Sequence, residues 1–98
     1  MKVLLLKVTL RAAWVHSLKG KRMIVKSIIQ KLKNKFNLSV GEVDEQDIYQ
    51  IIVIGISVIC GSSAQVDSTM ENVITFIEEN TDAEIINIEN EEYIFSTW

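Results

Sequence analysis

A chain of 98 residues, 48% hydrophobic and 23% charged, has the size and composition of one globular domain, which excludes intrinsic disorder. Its net charge of −3 hides a complete segregation. All ten Lys and Arg fall in residues 1–35 and all thirteen Asp and Glu in residues 42–92, so the chain is dipolar and its net charge says little about partners.

Cys60 is the single cysteine and cannot form an intrachain disulfide, which fits a reducing compartment. At the N-terminus Lys7 breaks the apolar run and no small-residue cleavage site follows, so no signal peptide is expected. The longest apolar stretch, residues 51–60, falls far short of a membrane-spanning helix. A cytoplasmic protein with no membrane association is the expectation.

Residues 3–11 alternate, with Leu4, Leu6, Val8 and Leu10 on one side, and read as a half-buried strand. Residues 12–16 connect it to Ser17; Trp14 is expected to close over the core. His16, the only histidine, has no partner in the sequence that would make it a ligand or general base. From Met23 the positions Ile24, Val25, Ile28, Ile29, Leu32 and Phe36 form one helical stripe, with Ser17 as N-cap. The remaining surface carries Lys19, Lys21, Arg22, Lys26, Lys31, Lys33 and Lys35, seven cations in seventeen residues with no carboxylate among them.

That helix start is unusual. Lys19, Lys21 and Arg22 crowd the positive end of the helix dipole, and Gly20 stands where a capping box would place Glu or Gln. Free amides, dipole and cations together suggest an anion site at Ser17, Lys19, Lys21, Arg22 and Lys26. The competing reading is a solvated end whose cations are neutralised by acidic neighbours.

A second strand is expected over residues 38–43, then a hairpin carrying Glu42, Asp44, Glu45 and Asp47. These carboxylates lack the glycine and spacing of a calcium loop, so no metal is assigned. Residues 48–60 are apolar on both alternate sets, the pattern of a strand in mid-sheet. Ser62 with Gln65 is a capping-box signature for a second helix bearing Val66, Met70, Val73, Ile74 and Ile77. Residues 84–89 read as a last strand with Ile86 and Ile88 inward, and Tyr93, Phe95 and Trp98 as a continuation after a turn or bulge.

The order βαββαβ predicts a single ferredoxin-like α+β domain over residues 1–98, a four-stranded antiparallel sheet with both helices on one face. The acidic hairpin and the basic helix start then share one rim.

The blocks Ser17-Leu18-Lys19-Gly20-Lys21-Arg22, Asn34-Lys35-Phe36-Asn37, Ser39-Val40-Gly41-Glu42-Val43-Asp44 and Asp47-Ile48-Tyr49-Gln50 resemble the bacterial YlxP family over nearly the whole chain. The resemblance implies a ferredoxin-like fold but no known activity. The family's genes often neighbour those for translation initiation and ribosome maturation, which implies a ribosome-associated role by neighbourhood only. Gly20 departs from the acidic residue common in relatives, and Tyr49-Gln50-Ile51 from their Trp-Gln-Arg.

Three functions are weighed. An RNA- or ribosome-associated module would bind phosphates through the first helix, with a log–log salt slope on the order of −4. Ribosomal RNA or a ribosomal subunit would be its partner. The two central strands carry no aromatic residue, which excludes base stacking on the sheet in the manner of an RNA-recognition motif. The alternative is a homodimeric interaction module using the helix-free sheet face through Val3, Leu5, Ile51, Val53 and Ile59. Catalysis is not expected: no phosphate loop, nucleophile elbow or metal-ligand spacing is present, and no cofactor or catalytic residue is assigned.

Overall fold

Alternation in the first strand separates inside from outside as period two requires. Leu4, Leu6, Val8 and Leu10 are all buried, and they oppose Val58, Ile56, Ile54 and Ile52 across an antiparallel ladder. The computed structural model describes residues 1–96 and builds six elements. They are β1 (Lys2–Arg11), α1 (Leu18–Lys35), β2 (Ser39–Asp44), β3 (Ile51–Cys60), α2 (Ser63–Asn80) and β4 (Glu84–Ile94).

The strands order β2-β3-β1-β4, all antiparallel, in the ferredoxin-like topology. β3, apolar on both sides, lies inside the sheet. The core is one layer between sheet and helices, where Val25, Ile28 and Leu32 of α1 and Val66, Val73 and Ile77 of α2 meet the buried rows of β1 and β3. Phe36 and Phe76 pack edge to face across the helices, ring centroids 5.4 Å apart.

α2 begins as its sequence signals. Ser62 Oγ accepts from the Gln65 amide at 3.2 Å, while the Gln65 side chain accepts from Gly61 N–H at 2.6 Å. The reciprocal bond thus reaches one residue before the cap.

Two boundaries differ from expectation. β3 starts at Ile51 rather than Ile48, because Glu45 takes a left-handed conformation (φ 52) and Ile48 N–H donates to the Glu45 carbonyl at 3.1 Å. β2 and β3 form the expected antiparallel hairpin, with residues 45–50 as its loop. β4 runs on through Ile94, and its register with β1 shifts between Thr9 and Leu10. That bulge changes the phase of the strand: Ile85 packs against the core, Ile86 is exposed, and Ile88 returns opposite Val8 at the open edge of the sheet. Trp98 lies outside the described residues.

Candidate nucleic-acid interface

The residues expected to bind an anion do not stay together. Ser17 is extended (φ −155, ψ 157) and its Oγ accepts from the Gly20 amide at 3.0 Å, so the cap is made by the chain itself. A Cβ on Gly20 would stand 3.3 Å from that oxygen, which explains a small residue beside the cap.

Lys21 is the main correction. It is 1% exposed, and each of its three ammonium protons has an acceptor nearby. These are the Glu45 carbonyl at 2.5 Å, the Ile48 carbonyl at 2.7 Å and Glu42 Oε2 at 2.9 Å. Lys21 therefore ties α1 to the β2–β3 loop and offers nothing to an external anion. The same neighbourhood is fastened by Gln50, whose side chain donates to the Ala13 and Val15 carbonyls at 3.2 and 3.3 Å.

The other cations are not neutralised. Lys19, Arg22, Lys26 and Lys33 are exposed, and no carboxylate of the described residues comes within 4.0 Å of them. Separations of three, four and seven align these four along one side of α1, away from the buried line Lys21, Val25, Ile28 and Leu32. Lys31 faces the other way, donating to the Asn80 carbonyl at the end of α2 at 3.2 Å. Where the acidic rim does neutralise a helix cation, it neutralises Lys21 alone.

Trp14, expected to close the core, is instead 50% exposed. With Met23, Ile24 and Ser27 of α1, and Thr81 and Asp82 after α2, it lines a groove between the helix ends.

On the helix-free face, register places Tyr93, Val3 and Ile59 side by side, and Leu5 in the next row between Glu91 and Ser57. Ile59 is 69% exposed, and among the described residues nothing covers this corner. All five residues expected at a dimer interface lie on this face, but two of them stand apart from its exposed corner. Ile51 is at the opposite end, beside Arg11. Val53 is already buried at 3%, next on the same face from Gly55, over which the Val43 methyls lie. Lys7 holds the middle of the face between Glu89 at 3.7 Å and Asp44 at 4.0 Å.

Residues 3–90 match the family described as a protein of unknown function (DUF503). This chain belongs to the DUF503 family. The uncharacterized protein YlxP of Bacillus subtilis (strain 168) is 37% identical over 62 residues, 63% of this chain and 67% of that protein. The solved structure of At3g17210 from Arabidopsis thaliana superposes with a TM-score of 0.48 at 12% identity, covering 98% of this chain and 97% of that one.

In this DUF503 chain the part of Lys21 was signalled by spacing. It stands four residues before Val25, on the line continued by Ile28 and Leu32, and so on the buried side of α1. No comparable signal marked Gln50. No helix among the described residues is long and apolar enough to cross a membrane.

Proposed function

We propose that this protein is a non-enzymatic binding module whose α1 takes the phosphate backbone of RNA, in or near the ribosome. One observation carries the reading: Lys19, Arg22, Lys26 and Lys33 form an exposed row without carboxylate partners, in a protein whose net charge is negative. Four contacts of this kind give a log–log salt slope of about −3, smaller than five or six would because Lys21 is withdrawn. Contacts to phosphate position a protein without reading sequence, so binding is expected to depend on salt far more than on base order.

The test is co-sedimentation with ribosomal subunits at low and moderate salt, beside a Lys19→Ala, Arg22→Ala, Lys26→Ala variant shown to stay folded. Salt-sensitive binding that the variant loses is the expected result. Binding by neither protein, or equal binding by both, removes the reading.

A second reading rests on the uncovered corner of the sheet at Leu5, Ile59 and Tyr93. There the protein would pair with a second copy of itself. It uses a different surface, so both can hold.

A further inference from the structure

Trp14 and Met23 are large apolar side chains, 50% and 67% exposed, that line one groove rather than standing apart on the surface. On a helix, residues three and four apart are neighbours, so Met23 lies between Lys19 and Lys26. The mouth of the groove is thus flanked on its α1 side by two exposed cations with no carboxylate of the described residues within 4.0 Å. Its other wall holds Thr81 and the carboxylate-bearing Asp82.

This layout divides a nucleotide. Asp82 repels phosphate, and Lys19 and Lys26 attract it, so the backbone belongs on the α1 side and the base belongs in the groove against Trp14. In a duplex the base faces are already stacked on one another and are out of reach of an indole; only an unpaired base can lie on it.

We infer that the groove between Trp14 and Met23 binds an unpaired RNA base, with the adjoining phosphates on Lys19 and Lys26, so that the ligand is single-stranded. This deepens the α1 reading above and rests on it. A wholly acidic polypeptide would satisfy the lysines but would leave the aromatic groove unused.

The experiment uses the 98-residue chain carrying Trp98→Phe, so that Trp14 is its only tryptophan. The probes are a labelled 12-nucleotide oligocytidine, an RNA duplex of 12 base pairs, and polyglutamate, at fixed low salt. Oligocytidine is expected to quench Trp14 fluorescence and the duplex is not. Trp14→Ala is expected to weaken oligocytidine binding about tenfold and duplex binding hardly at all, while Trp14→Phe keeps most of the affinity. Urea midpoints of both variants check that the fold is intact.

Several results overturn the inference. In one, both RNAs bind with the expected salt slope but Trp14→Ala changes neither; the α1 reading then survives and the groove does not. If Trp14→Ala weakens both RNAs equally, Trp14 acts through the fold rather than on a base. Polyglutamate quenching Trp14 as strongly as RNA would point to a protein partner. No binding of any RNA overturns both readings.

Discussion

At the residue scale, Lys21 shows why a charged residue can be structural. Its ammonium donates to two carbonyls and pairs with Glu42, all on the β2–β3 segment, so its removal strands a part-buried carboxylate and frees a loop. Lys21→Met, which keeps the aliphatic stem, is expected to cost about 3 kcal/mol of unfolding free energy in urea titrations. Adding Glu42→Gln should recover part of that loss, because the stranded charge is gone. The glycines make a sharper pair, since Gly41 and Gly55 oppose each other in the β2–β3 ladder. A Cβ on Gly55 would stand 2.6 Å from Val43 Cγ1, whereas one on Gly41 meets nothing within 4 Å. Gly55→Ala is expected to cost about 1–2 kcal/mol and Gly41→Ala to be neutral or slightly stabilising, with Val43→Ala relieving the Gly55 variant in a double-mutant cycle. The segregation of charge was visible in the sequence, but which cation turned inward was a matter of helical phase. Lys21 was read by its type as surface when its position on the Val25, Ile28 and Leu32 line was the better guide.

At the scale of elements, both helices have serine N-caps, yet they are built for different ends. α2 has its reciprocal cap, Ser62 with Gln65, whereas α1 has only Ser17; neither has a carboxylate in its first turn. Ser17→Ala and Ser62→Ala are each expected to cost about 1 kcal/mol in thermal or urea unfolding. Ser17→Ala should leave the salt slope of RNA binding unchanged, because the Ser17 hydroxyl already takes the Gly20 amide and the exposed cations lie further along α1. A change of slope would return the site to the helix end. Period and capping made all six elements legible; their limits were less so where tertiary bonds decide. The start of β3 depends on the Glu45 turn and on Lys21, and the phase of β4 on a bulge opposite Thr9 and Leu10. Neither leaves a mark in local hydropathy. Trp14 illustrates the same limit, because an apolar residue in a connection can close a core or line a groove, and only the placement of the α2 end decides which.

For the whole molecule, two surfaces carry opposite properties: a cationic side of α1, and a helix-free sheet face whose apolar residues gather at one corner. Alternation in β1 and β3 predicted an apolar face, but not its uneven distribution, because register with β4 and the Val43 side chain over Gly55 settle which residues are covered. Tyr93 joins Val3 and Ile59 in one row, Leu5 follows in the next, and then Lys7 stands between Glu89 and Asp44. A second copy related by a two-fold axis can lay apolar corner on apolar corner, where Ile59 at 69% exposure has most to gain. The paired Lys7 row adds little repulsion. Sedimentation equilibrium at tens of micromolar is therefore expected to find a dimer, and thermal stability to rise with protein concentration. Leu5→Glu or Ile59→Glu should yield a folded monomer. Ile51→Glu, at the far end of the face, should leave association nearly intact. Val53→Ala should instead lower monomer stability by about 1–2 kcal/mol, since Val53 is already buried within one chain. A wild-type monomer at that concentration would rule the pairing out, and equal sensitivity at Leu5 and Ile51 would place the contact over the whole face rather than at its corner. RNA binding by the Leu5→Glu monomer then separates the surfaces: unchanged affinity per chain means that α1 acts alone, and a loss means that two cationic rows are needed side by side.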